Sequence, residues 1–359
     1  MNKQKPHPGL ERVISAQLGK SEVREITVSV FHTESGETYC AASGSHKGEA
    51  ISENTLFFIA STTKLFATII MCQLRAEGRL SFDDKMAKFL TSQDFDSLLI
   101  LNGTDKTGDI DLRHLLSHTS GLPDYFEQKR MDGTNFADAL LNGQDRAWSV
   151  YDVLIATRGA LKPLGYSPGQ TKKAFYSDTN FQLLGAVIEA VTGISLAQNV
   201  EARIAQPLQL NQTYLYSESA AKAHLPVLPM RNGTQQIHIP NTIESTRLDG
   251  GGVSNSTELL TLIRAIFDGQ LFPAAYLNEL QNWRPIFFPL HYGVGIMKFE
   301  LPRIFSLLQE QPSLIGHSGI SGAFAFHCPA KSLYIAGTVN QLANRGLPYR
   351  FMLKIAAEF

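Results

Sequence analysis

Ser61-Thr62-Thr63-Lys64 places a hydroxyl three residues ahead of an amine, where an extended segment, Leu56 to Ala60, turns into an apolar helix. Residues at that spacing share a helix face, so the amine sits beside the hydroxyl. A serine hydroxyl is a poor nucleophile until a neighbour accepts its proton, and a lysine in an apolar pocket has its pKa lowered toward that task. The helix start adds backbone NH groups for developing negative charge. The plain alternative makes Ser61 a helix cap and leaves Lys64 in water. Against it stands position, because Lys64 opens the most apolar helical stretch of the chain, Ser61 to Ala76, closed by Gly78. Tyr176-Ser177-Asp178 lies directly before a second helical pattern, Thr179 to Thr192, where a Tyr and an acid two apart can supply a proton acceptor and a charge partner. A packed tyrosine with an Asp cap explains the same residues. His317-Ser318-Gly319 leads through Ile320-Ser321-Gly322 into a strand. Small residues there let a substrate backbone lie along the strand edge, and an NH just past Gly319 can complete an oxyanion hole.

These three segments need a scaffold. At the N-terminal end a short helix, Leu10 to Leu18, precedes an alternating strand with Ile26, Val28 and Val30, a turn at Glu34-Ser35-Gly36-Glu37 and a second strand from Thr38 to Ala42. At the other end Tyr292 to Phe299, Phe324 to His327 and Leu333 to Val339 read as strands, with Pro329-Ala330-Lys331-Ser332 as a turn and Tyr349 to Phe359 as a closing helix. Helical periodicity dominates between. Phe181, Leu184, Ile188 and Val191 mark an amphipathic helix ended by Gly193. Asn102 to Asp111 and Pro226 to Gly252 read as long surface loops that border a cleft. The expected architecture is α/β (α+β): an antiparallel sheet domain from residues 1–79 and 286–359, a mostly helical lobe at 80–285, and the active site in the cleft between them.

The 359 residues are 43% apolar and 18% charged, with 32 basic against 33 acidic side chains and a net charge of −1. That composition excludes disorder and gives no reason to expect a nucleic-acid partner. The longest nearly unbroken apolar stretch, Leu65 to Cys72, is far short of the ~20 residues that span a bilayer, and Met1 to Leu18 is polar. The expectation is a soluble protein, cytoplasmic, or periplasmic or secreted if an export signal was removed upstream of Met1. Cys40, Cys72 and Cys328, odd in number and far apart, read as reduced thiols.

In their order and spacing the three segments resemble the serine β-lactamase and penicillin-recognising superfamily, nearest its class C branch of DD-peptidases, D-aminopeptidases and β-lactamase-like esterases. The resemblance spans roughly Phe57 to Asn340. It is reinforced by Leu112 to Leu122, Tyr176 to Gly185, Pro207-Leu208-Gln209-Leu210 and Gly250-Gly251-Gly252-Val253-Ser254. It implies that Ser61 is the acylated nucleophile, Lys64 its proton-relay partner and Tyr176 the general base or acid. Backbone NH groups of Ser61 and Ile320 would form the oxyanion hole. His317, where many relatives have Lys, would bind a substrate carboxylate or assist protonation, and Ser318 and Gly319 would line the substrate. No cofactor and no metal are implied. Asp178 departs from the pattern, standing where the family usually has Asn. A carboxylate only accepts hydrogen bonds, so Asp178 can pair with Lys64 but cannot donate to a substrate amide. Beside Lys64 it favours the ammonium, leaving more of the base's work to Tyr176.

Two other patterns carry less. His114 and His118 are four apart on an expected helix, but the Glu of HExxH is missing. Gly193-Ile194-Ser195-Leu196-Ala197 falls short of a GxSxG elbow, and Ser195 reads as the cap of the next helix. The sequence therefore points to a serine hydrolase that forms and hydrolyses an acyl-enzyme, with small-molecule short-chain esters ranked first, D-amino acid peptides or amides second and β-lactams third. An acylatable or inert ligand-binding protein is the rival from another class.

Overall fold

The structure is a computed structural model and describes residues 6–91, 95–217, 220, 224–302 and 311–359. Both chain ends build one eight-stranded antiparallel sheet. Its strands run in the order Arg284–Pro285, Leu290–Tyr292, Met297–Phe299, Leu314–Ser318, Ala323–Cys328, Leu333–Thr338, Ile26–His32 and Glu37–Ser43. Alternation along each strand decides what covers each face. Val28, Val30, Phe324, Phe326 and Ile335 pack on one side against helices Pro8–Gln17 and Leu347–Ala356, through Leu10, Ile14, Phe351 and Ile355. The intervening positions are small or polar: Ala323, Ala325 and Ala336 are buried in the other main core, and Thr27 and Ser29 meet Ser256 at 3.1 and 2.9 Å. Helix Ser256–Phe267 thereby lies on that face. Truncating one of the buried phenylalanines to Ala would cost about 3–5 kcal/mol.

Helix Lys64–Ala76 is buried from Lys64 through Cys72, as its all-round apolar pattern demands. Helix Asp178–Thr192 packs beside it and ends at left-handed Gly193, and Ser195 caps the following helix by accepting from Gln198 N. A second, four-stranded sheet orders Tyr214–Leu215, Gly252–Ser254, Leu56–Phe58 and Val227–Leu228, the last running parallel to Leu56–Phe58. Cys72 and Cys328 are buried and Cys40 half-buried, all as free thiols. Among the described residues no single helix is long and apolar enough to cross a membrane.

Three expectations need correction. Tyr292 to Phe299 is not one strand but a hairpin, Leu290–Tyr292 with Met297–Phe299, because Gly293 N donates to Ile296 O at 2.8 Å and reverses the chain inside an apolar run. Pro226 to Gly252 is not a surface loop. It forms strand Val227–Leu228, a hairpin of Met230–Asn232 with Gln235–Ile237, and helix Pro240–Gly250, whose Ile243 and Leu248 are buried. Asn102 to Asp111 contains half a small hairpin and a tight turn, and it borders a surface cleft that holds none of the motif residues.

Candidate active site

Ser61 sits in a tight turn, Ala60–Thr63, between strand Leu56–Phe58 and helix Lys64–Ala76. Ala60 holds a left-handed φ of 44°, uncommon for a residue with a Cβ. Side chains clamp the turn: Thr63 Oγ1 donates to Ala60 O at 2.6 Å and accepts from Gly252 N at 2.9 Å. A Cβ on Gly252 would stand 2.6 Å from Thr63 Oγ1, and one on Gly319 would stand 2.2 Å from Ile59 O. Those two glycines let the strand after helix Pro240–Gly250 and the loop after Leu314–Ser318 press against the backbone that presents Ser61. Ser321 Oγ adds a bond to Phe58 O at 2.7 Å. In consequence Ser61 and Ile320 line one cavity, with Phe126, Leu140, Met230 and Ile243.

Lys64 is fully buried, and its Nζ donates to Asp178 Oδ1 at 2.5 Å, to Asp249 O at 2.6 Å and to Ser61 Oγ at 3.4 Å. Three donors meeting three acceptors is the geometry of an ammonium. Burial opposes the charge, but Asp178 and then Asp249 outweigh it and hold the Lys64 pKa above its ordinary value. An apolar helix alone would lower that pKa, and the acid reverses the sign. The Tyr176 hydroxyl is hydrogen-bonded to Ser61, while burial and then Asp178 raise it well above the usual phenol range, so it rests as a neutral phenol. Its ring lies 4.9 Å from Lys64 Nζ and stacks on His118 at 4.4 Å.

The Tyr176-Ser177-Asp178 junction is held by the segment 118–125. His118 Nδ1 accepts from Ser177 N at 3.1 Å, Asp124 Oδ1 accepts from Asp178 N at 2.9 Å, and Ser177 and Thr179 hydroxyls donate to Pro123 O. The helix expected to carry His114 and His118 spans only Leu112–Leu116, and His118 lies past it at a left-handed φ of 55°. His114 instead caps that helix with Asp111. Among the described residues, no three metal-ligating side chains converge.

His317 is fully buried, with Nε2 3.1 Å from Tyr292 OH and Nδ1 2.9 Å from Ser318 O. Those partners fit a neutral ring that donates from Nδ1 and accepts at Nε2. Burial, and then Lys64, lower its pKa to about 3. At neutral pH His317 therefore offers no positive charge to a substrate carboxylate. Ser318 turns its hydroxyl to Tyr349 OH at 2.5 Å, toward partners that His317 does not share, as successive strand residues must.

Sequence reasoning missed Asp249, Asp124 and Tyr125. Asp249 is buried, and its Oδ2 accepts from Tyr125 OH at 2.8 Å and Gln182 Nε2 at 3.0 Å. Burial and then Asp178 raise it well above the carboxylate range, and the same two causes raise Asp124 to about 7. The available signals were small: a single acid directly before Gly250-Gly251-Gly252, and Asp124-Tyr125 just past Gly121-Leu122-Pro123.

Known proteins are similar to this chain in sequence and in fold. The teichoic acid D-alanine hydrolase of Staphylococcus aureus is 29% identical over 235 residues, 65% of this chain and 51% of that protein. The chain thus matches about half the length of that curated relative. A D-stereospecific amidohydrolase from Streptomyces sp. superposes with a TM-score of 0.74 at 26% identity over 99% of each chain. The D-amino acid amidase of Ochrobactrum anthropi SV3 reaches 0.76 at 19% identity, covering 98% of this chain and 100% of its own, which is a likeness of fold. The family model described as Beta-lactamase matches residues 10–357, from the first helix to the last and across the Ser61, Tyr176 and His317 segments, and the chain belongs to that family.

Proposed function

We propose that the protein is a serine hydrolase of the class C type that transfers an acyl group to Ser61 and then to water, acting foremost on short-chain esters. One observation carries the reading: Lys64 is wedged between Ser61 Oγ at 3.4 Å and Asp178 Oδ1 at 2.5 Å. An ammonium cannot accept a proton unless it passes one on, and Asp178 is an acceptor that an asparagine would not be. Ser61 attacks the carbonyl as its proton moves to Lys64 and a Lys64 proton moves to Asp178. Backbone NH groups of Ser61 and Ile320 take the developing oxyanion. The neutral Tyr176 phenol protonates the leaving alkoxide. The resulting phenolate accepts a proton from the attacking water, and Ser61 recovers its own through Lys64 from Asp178, which restores every group.

The substrate ranking follows from the same residues. Asp178 cannot donate to an amide carbonyl, which favours esters, and the cavity beside Ser61 is small, about 30 Å³, and mostly apolar. D-aminoacyl esters and amides rank next, supported by what the relatives above are named for. β-Lactams rank last because neutral His317 gives their carboxylate no cation. Turnover of a chromogenic acetyl ester and of a chromogenic cephalosporin, with intact-protein mass spectrometry, tests the reading. Ester turnover with a transient acetyl adduct supports it. A stable adduct without turnover would make the protein an acylatable trap, and no adduct at all would remove the hydrolase reading.

A further inference from the structure

A second cavity, of about 210 Å³, lies behind the one that holds Ser61. Phe58, Tyr216, Val227 and Ile237 line it, and it shares Met230 and Ile243 with the inner cavity. Among the described residues that line it are no Asp, Glu, Lys or Arg, and the one His, His238, is exposed. Apolar surroundings of this kind exclude ions and take hydrocarbon, and about 150 Å³ suffices for a molecule the size of benzene. Phe58 belongs to the strand that leads into Ser61, so the outer cavity runs alongside the nucleophile's own strand.

The partition between the two spaces is made of side chains. Met230 is 2% exposed, Ile243 4%, and both belong to the core cluster that also contains Phe126, Leu140 and Ile237. The backbone around Met230 is pinned on both sides, by Asn340 Nδ2 donating to Pro229 O at 3.0 Å and by Leu342 N donating to Arg231 O at 2.8 Å. Shortening Met230 therefore opens space without releasing the chain. Methionine is also the side chain best suited to an irregular, adaptable wall.

We infer that Met230 and Ile243 set the acyl-chain length the enzyme accepts, and that the outer cavity is an extension of the acyl subsite, walled off from Ser61 by these two side chains, for a linear or aromatic hydrocarbon group. This deepens the hydrolase reading and rests on it. In the wild type the wall restricts the acyl group to short chains; with the wall removed, carbons beyond the first few enter the outer cavity. Burying each methylene is worth about a 4-fold gain.

The test is the ratio of kcat/KM for the p-nitrophenyl esters of octanoate and acetate in the wild type, Met230→Ala and Met230→Ala/Val227→Phe. The ratio should rise at least ~10-fold in Met230→Ala, and the Phe placed in the outer cavity should reverse the gain. Ile243→Ala provides the same opening from the helix side if Met230→Ala does not fold. A folded opening variant with an unchanged ratio would overturn the inference, as would a gain that Val227→Phe leaves intact. Binding of octanamide by calorimetry in a Ser61→Ala background separates the two readings, because it needs no chemistry. Binding at least ~10-fold tighter with the wall removed upholds the subsite even if no ester is turned over, and equal binding refutes it.

Discussion

Replacing Asp178 by Asn changes one oxygen into an amide at the point where the proton relay ends. Asn keeps an acceptor for Lys64 Nζ, now 2.5 Å from Asp178 Oδ1, and the backbone oxygen of Asp249 at 2.6 Å remains in place. What is lost is the charge assistance. A hydrogen bond to a charged group contributes about 1.5–3 kcal/mol and a neutral one about 0.5–1.5, so the ammonium loses roughly 1.4 kcal/mol, or one pKa unit. Lys64 then has to act as the base itself. Ester kcat/KM at pH 7 should fall about 10-fold and recover as pH rises through the lowered Lys64 pKa. The new amide NH also faces the substrate, and one hydrogen bond of about 1.4 kcal/mol shifts the ratio of amide or cephalosporin to ester turnover about 10-fold toward the amide. The assay is kcat/KM against pH for one ester and one cephalosporin on both proteins. A superimposable ester profile would refute the relay through Asp178, and a ratio that stays put or moves toward esters would refute the donor argument.

Ser61→Ala should fold normally yet show no mass adduct with a serine-directed phosphonate; an adduct of undiminished extent would move the nucleophile elsewhere. Tyr176→Phe removes the phenol bonded to Ser61 and should lower turnover at least ~10²-fold, with most of the loss in kcat; near-wild-type turnover at every pH would make Tyr176 a packing residue. His317, with its pKa lowered to about 3 against ~6.5 unfolded, binds its proton less readily in the native state than in the unfolded one. Native stability is therefore lost as pH falls from about 6.5 toward 3, by up to about 1.4 kcal/mol per pH unit from this residue alone, and urea unfolding of His317→Gln at pH 6, 5 and 4 should show a shallower decline; an equal slope would place the acid sensitivity in other groups.

Legibility in the sequence followed the range of the interactions. The two-face alternation of Ile26, Val28 and Val30 and the all-round apolar pattern of Ser61 to Ala76 are local, and each gave its element and its depth correctly. Tyr292 to Phe299 misled because two glycines inside an apolar run look like a weak strand and act as a turn. Pro226 to Gly252 misled for the opposite reason. Its Pro, Gly and polar residues mark turns and short strands, whereas its burial comes from docking against the Ser61 turn and helix Asp178–Thr192, which no local pattern records. At the candidate site, Ser61, Lys64, Tyr176 and Asp178 stand out in the sequence because their spacing has chemical meaning. Asp249 lies 185 positions along the chain from Lys64, and its own significance lies in being buried. Neither fact leaves a mark at position 249.

Asp249 and Asp124 also bear on the ion pair at the centre. Asp178 and Asp249 act on the buried Lys64 ammonium and Asp124 accepts from the Asp178 NH, and a single cation cannot balance three buried anions. Burial and the proximity of Asp178 raise Asp249 and Asp124 together. Both shifts oppose further negative charge beside Asp178: Asp249 accepts hydrogen bonds from Tyr125 and Gln182, and Asp124, raised to about 7, accepts backbone NH groups from Phe126, Glu127 and Asp178. Lys64 is left with Asp178 as its ion-pair partner. An asparagine at 178 would remove the anion that pushes on the other two, so the residue at 178 is coupled to the pKa of both neighbours. Asp178 is thus one part of a wider charge balance, and the reaction proposed for Ser61 depends on that balance as much as on the nucleophile.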